Sequence, residues 1–163
     1  MSEVKTTISE SEFVGACKLH GKPTRAIWIF YAVAVLALIA TAALGGEHAR
    51  KLAILGLIGG LFGHLFVAQI LQPRQARAQY RKYPLIQKPI EVGVLPNGVS
   101  FKSADGEGRL TWESIIKWRE NSEFILVYPA PNLYYIIPKR LEASGLDVPA
   151  IAAGLEKNVG VAT

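Results

Sequence analysis

Two long runs in the first half of the chain contain no Asp, Glu, Lys or Arg: Ala26 to Leu44 (AIWIFYAVAVLALIATAAL) and Leu52 to Leu71 (LAILGLIGGLFGHLFVAQIL). A helix rises about 1.5 Å per residue, so each run is close to the ~20 residues that cross a ~30 Å hydrocarbon layer. Burying both runs in a globular core would need more covering sequence than a 163-residue chain has left. The chain therefore reads as a membrane protein with an antiparallel helical hairpin. Its spans are 26–44 and 52–71, joined by the link Gly45–Lys51. The first run is no cleavable signal, because a structured-looking stretch precedes it and a second span follows.

Basic residues near the span ends set the orientation. Lys18, Lys22 and Arg25 precede the first span, and Arg74, Arg77, Arg81, Lys82 and Lys88 follow the second. The link holds Arg50 and Lys51, offset in part by Glu47. Both termini are expected in the cytoplasm, with Trp28 and Tyr31 as interfacial anchors. A cysteine at Ala49 should then be reached from outside, and one at Ser103 should not. The net charge of +5 needs no nucleic acid. Arg74, Arg77, Arg81 and Lys82 are expected to contact anionic lipid headgroups. Tyr80 and Tyr83 among these cations give only a faint version of an interleaved nucleic-acid face. The lone Cys17 excludes an intrachain disulfide and a CxxC motif.

The remainder divides into three parts. In residues 1–25, Val4 to Ile8 alternates like a strand, and Ser9 with Glu12 forms a helix-capping box. Phe13, Cys17 and His20 follow at helical spacing. Residues 72–89 form a basic connector, with a break at Pro73, a helix over 74–83, and Pro84 and Pro89 beyond it. Residues 90–163 change to period two: Ile90 to Val94, Val99 to Phe101, Leu110 to Trp112, a strand headed by Trp118, then Glu123–Tyr128 and Leu133–Ile137. The expected turns are Pro96–Gly98, Asp105–Gly108 and Pro129–Asn132. Asp147 caps a last helix with Val148, Ile151, Ala152, Leu155 and Val159 on one face. Short strands at close turn spacing argue an antiparallel sheet or small barrel closed by that helix, a PH-like architecture in an α+β membrane protein. Trp112, Trp118, Phe124 and Leu126 are the expected core, with Ile151 and Leu155 closing it.

One stretch carries a family resemblance: Gly98-Val99-Ser100-Phe101, Leu110-Thr111-Trp112-Glu113-Ser114-Ile115, Phe124-Ile125-Leu126-Val127-Tyr128 and Tyr135-Ile136-Ile137-Pro138-Lys139-Arg140. In this order it resembles the YcxB-like proteins of bacterial membranes. The opening segment, hairpin and connector also follow that family's order. The Pro129–Asn132 turn and the Ser144-Gly145 insertion depart from its pattern. The resemblance implies the fold and topology, and it supplies no catalytic residues to carry over.

Reactive constellations are sparse. The three histidines, His20, His48 and His64, all precede the strands that hold Ser100, Asp105 and Ser114. A Ser-His-Asp arrangement would have to form across the membrane interface. His48 with Glu47 falls short of the usual three or four metal ligands. No cofactor motif occurs, and a non-enzymatic role is expected. His64 is the one ionisable group at membrane depth. With no acidic partner in either span it reads first as a neutral, hydrogen-bonded imidazole, and second as an intramembrane polar site. Gly56 with Gly60, and Gly59 with Gly63, form two GxxxG registers that permit close helix packing. Ala34, Ala37 and Thr41 offer a matching stripe on the first span; the adjoining glycine face could serve a second copy of the chain in a homo-oligomer, and packing within the hairpin alone would also account for both and is the favoured reading.

The expected function is binding or scaffolding, with the domain reading an unidentified protein or a lipid at the membrane surface. Protection against a membrane-targeted toxin, as an immunity protein, is the alternative. A lipid-acting enzyme comes third.

Overall fold

The computed structural model describes residues 3–104 and 106–162. Asp105, the first residue of one expected turn and a member of the weighed triad, lies outside the described residues. The chain forms two compact units. A helical hairpin comprises residues 21–75, and a β-rich unit comprises residues 1–20 together with 76–163.

In the β-rich unit, strand β1 (Glu3–Thr6) leads into helix α1 (Glu10–His20). The capping box forms as expected. The Ser9 hydroxyl accepts from the Glu12 amide at 3.2 Å, and the Glu12 carboxylate accepts from the Ser9 amide at 2.8 Å.

The hairpin consists of α2 (Arg25–Leu44) and α3 (Glu47–Phe66), followed by a π-helical turn over Val67–Leu71. The link is shorter than the sequence suggested. Only Gly45 and Gly46 lie between the helices, and Glu47–Lys51 form the first turns of α3. There Lys51 pairs with Glu47 at 2.6 Å, and Arg50 donates from Nε to the Ala42 carbonyl at 3.1 Å near the end of α2. These contacts extend the helix over residues that composition alone assigns to a loop.

Pro73 does not break the chain. The helix runs on from the π-turn into α4 (Gln72–Lys82), giving 36 continuous helical residues. Proline has no amide hydrogen, and its ring crowds the carbonyl four residues earlier, here Gln69. Immediately before it the Gln72 amide bonds five residues back to Val67, so the wider turn makes room for the ring.

A 3₁₀ turn over Pro84–Gln87 precedes the remaining strands: β2 (Ile90–Leu95), β3 (Gly98–Ser103), β4 (Gly106–Thr111), β5 (Lys117–Glu120), β6 (Phe124–Ala130) and β7 (Leu133–Pro138). They form two antiparallel sheets, ordered β1-β2-β3-β4 and β5-β6-β7, and not a closed barrel. β1 completes the first sheet by pairing with β2, Thr6 against Ile90 and Glu3 against Gly93. Glu107 and Gly108 lie within β4, not in a turn. Pro129 lies within β6 beside a register shift, so the β6–β7 turn narrows to Pro131 and Asn132.

Helix α5 (Val148–Asn158) starts as expected, with Asp147 Oδ1 accepting from the Ala150 amide at 2.9 Å. Its Val148, Ile151 and Leu155 share one core with Val92, Val99 and Phe101 of the first sheet and with Trp118, Ile125, Val127 and Ile137 of the second. Phe124 and Leu126, expected in this core, point the other way. They join Tyr128, Ala16 and Leu19 in a second cluster beneath α1. Both faces of the second sheet are therefore covered, which is why β6 reads as an unbroken apolar run. Trp112 is also displaced from its expected strand position. It stands in a 3₁₀ turn and packs half-buried against the first core.

Candidate functional site

A group of polar and aromatic side chains gathers where the end of α1 meets β5, β6 and β7. Alternation along β6 and β7 turns Tyr128 and Tyr134 to the α1 side, and the helical period brings Cys17 and His20 to meet them. His20 Nδ1 and the Tyr128 hydroxyl share a hydrogen bond at 3.0 Å. The imidazole stacks on Tyr134, with centroids 4.8 Å apart and planes 23° apart. Cys17 Sγ lies 3.4 Å from the Tyr134 hydroxyl. Lys117 places its ammonium 4.7 Å from the centre of the Tyr128 ring.

Arg119 supports the group from beneath. It is buried, and its Nη1 donates to the carbonyls of Leu19 at 3.1 Å and His20 at 2.7 Å, the last residues of α1. Helix ends leave such carbonyls without intrahelical partners, so the guanidinium acts as a C-terminal cap.

Burial sets the ionisation of the cluster. It pushes the Cys17 thiol up, outweighing the hydrogen bond from Tyr134. It also pushes the Tyr134 phenol well up, with further contributions from Cys17 and Tyr128. Burial, then the charges of Arg119 and Lys117, lowers His20 below its ordinary value near 6.5. At neutral pH the thiol and phenols are protonated and the imidazole is neutral. The cluster supplies no ionised nucleophile and serves to orient the end of α1.

This arrangement predicts a pH effect. A histidine whose folded pKa is depressed binds protons more readily unfolded, so its contribution is complete above about pH 6.5 and is lost as pH falls through the lower folded value. Denaturant unfolding should show stability falling between pH 7.5 and pH 5.5, with a flatter dependence in His20→Gln. Equal slopes in the two proteins would refute the assignment.

A second constellation fixes the opposite end of α1. Arg140 forks onto the Glu12 carboxylate through Nε and Nη2, and Nη2 also donates to Thr6 Oγ1 at 3.1 Å and the Thr7 carbonyl at 3.0 Å. Burial would raise Glu12, but the Arg140 and Ser9 hydrogen bonds prevail and its pKa is lowered. Tyr80 of α4 donates to the Ile8 carbonyl at 2.8 Å.

The residues singled out from sequence fall elsewhere. A Cβ on Gly56 would lie 3.7 Å from Leu38 of α2, in ordinary contact, whereas at Gly59, Gly60 and Gly63 it would meet nothing within 4 Å. His64 is exposed on α3 and meets Tyr31 of α2 edge-on, with centroids 5.9 Å apart. Arg81 binds Glu10 of α1 at 3.3 Å and Arg77 approaches it at 4.0 Å, so both help dock α4 on α1. Lys82 lies over Tyr83, and Arg74 is exposed. Among the described residues no group of three or more His, Cys, Asp or Glu could hold a metal ion.

Sequence reasoning missed Tyr128, Tyr134, Lys117 and Arg119 as a group. The available signal was the apolar run of β6, which calls for a helix on each face, and α1 carries the unmatched apolar stripe.

The family model for YcxB-like protein matches residues 94–153. That segment holds β3 to β7 and the start of α5, together with Lys117, Arg119, Tyr128, Tyr134 and Arg140. No curated protein and no solved structure matches the chain.

Proposed function

We propose, for a chain that carries a YcxB-like region at residues 94–153, a two-span inner-membrane protein whose cytoplasmic domain binds a protein or lipid partner at the membrane surface without catalysing a reaction. The observation that carries this reading is the bareness of the hairpin. No residue of α2 is buried, and Phe30 and Leu36 are 69% and 64% exposed. In water that surface would be an extreme apolar patch, and in a bilayer it is solvated by lipid.

Orientation has a support beyond charge. Segments before and after the hairpin, β1–α1 and α4 onward, belong to one folded unit, so they must share one side of the membrane. The basic flanks favour the cytoplasm as that side. Two antiparallel sheets with a single C-terminal helix on their common core favour a PH-like reading of the domain. An open groove of about 440 Å³ lies among Leu95, Pro96, Trp112, Gly154 and Lys157, and is where this reading would seat a partner segment.

Carbonate extraction should leave the chain in the membrane pellet, and release would overturn the reading. For topology His48 is a better probe than Ala49, because it is exposed while Ala49 is half-buried beside Gly45. In a Cys17→Ser background, an impermeant maleimide should label His48→Cys in intact cells and spare Ala104→Cys. The reverse pattern would invert the orientation. A pull-down should use the full chain, because residues 90–163 alone lack β1 and α1.

A further inference from the structure

The three-stranded sheet ends in an apolar tip. Ile116 and Leu133 are each 54% exposed, and Pro131 between β6 and β7 is exposed as well. The Ile116 amide donates to the Tyr128 carbonyl at 2.9 Å, which sets it at the same end as the β6–β7 turn.

Charge along β5 is graded toward this tip. Lys117 pairs in register with Tyr128 near the turn, whereas Glu120 pairs with Ile125 at the far end. There Glu120 is neutralised by Lys139 at 2.9 Å. Lys18 is a second, exposed cation on the last turns of α1, the helix whose end meets Tyr128 and Tyr134. His20, stacked on Tyr134 beside the turn, precedes the start of α2 at Arg25 by five residues. Five extended residues reach at most about 18 Å. In a membrane-embedded chain, the residues around His20 therefore work within a short tether of the headgroups.

We propose that the tip formed by Ile116, Pro131 and Leu133 dips into the surface of an anionic bilayer, with Lys117 and Lys18 meeting the headgroups. This rests on the membrane reading above and names the lipid surface as what this end of the domain engages. Apolar side chains at the tip enter the acyl boundary while adjacent cations gain from the negative surface potential. The cations hold the domain down when anionic lipid is present, and the apolar tip sets its depth.

The test uses the full chain carrying Cys17→Ser, reconstituted in phosphatidylcholine vesicles with or without phosphatidylglycerol. An environment-sensitive fluorophore is attached at Leu133→Cys, at Ile116→Cys, or at Ala143→Cys as a control on the exposed 3₁₀ turn after β7. Lipids carrying a quencher near the headgroup should quench the two tip sites about twofold or more above the control, and adding Lys117→Glu should reduce this in anionic vesicles. Tip labels as water-accessible as the control would overturn the proposal, even in a chain that resists carbonate. Labels shielded from water but untouched by lipid quenchers would overturn it too, by indicating protein cover.

Discussion

Leu155→Ala is expected to destabilise the β-rich unit by about 2–5 kcal/mol, the usual cost of truncating a fully buried leucine. Leu155 has no exposed surface and shares its core with residues of both sheets. The cavity would open where α5 joins them, so little backbone is free to collapse into it. For a unit of this size the unfolding midpoint should fall by roughly 10 °C or more. Trp118 reports on the same region, because its indole donates to the Gly160 carbonyl at 2.6 Å just beyond α5. Near-UV circular dichroism of the full chain in detergent should lose this tryptophan signal earlier on heating. An unchanged midpoint would show that α5 does not close the core.

Gly98→Ala should be comparably damaging for a different reason. A Cβ at this position would stand 1.9 Å from the Leu110 carbonyl oxygen and 2.9 Å from the Thr111 Cα, both backbone atoms of β4. No rotamer change relieves a clash with backbone. The β4 strand must move, and with it the pairs Gly98–Thr111 and Val99–Leu110. Overpacking costs about 1–3 kcal/mol and occasionally more, and a backbone clash this close belongs at or above the upper end. Hydrogen exchange should quicken in residues 106–111 while the amides of α2 and α3 keep their protection. Wild-type exchange in β4 would mean that the strands do not approach this closely.

What was legible in the sequence was local. The Ser9–Glu12 box, the Asp147 cap and the face made by Val148, Ile151 and Leu155 each depend on residues within a few positions of one another. The same holds for the β2–β3 and β6–β7 hairpins. Errors arose where distant segments decide the outcome. From sequence Phe124 and Leu126 read into the same core as Trp118, because a run that is apolar on both faces carries no period-two signal to separate them. The partner of the second face, α1, lies about a hundred residues earlier: Arg119 caps the carbonyls of Leu19 and His20. Pro73 reads as a helix end by propensity, yet the π-turn before it supplies the needed space. The glycines of α3 read alike as small positions, and only the fold shows that a Cβ at Gly56 would meet Leu38 of α2 while one at Gly59, Gly60 or Gly63 would meet nothing within 4 Å. The Arg140–Glu12 fork was hidden for the same reason. An arginine in a terminal "IIPKR" gives no sign of which carboxylate it will find.

The pairing of β1 with β2 also imposes an order on biogenesis. β1 and α1 leave the ribosome before either helix of the hairpin, and β2, the strand that pairs with β1, is synthesised only after both. Until then Phe13, Val14 and Leu19 have nothing to cover them, and Glu12 has no Arg140. On the proposed two-span reading, a chain threaded with its first span reversed would strand β1 and α1 on the wrong side of the bilayer, leaving one sheet short of a strand and the face of Phe124 and Leu126 bare. On that reading, completion of the β-rich unit would itself report correct threading of the hairpin.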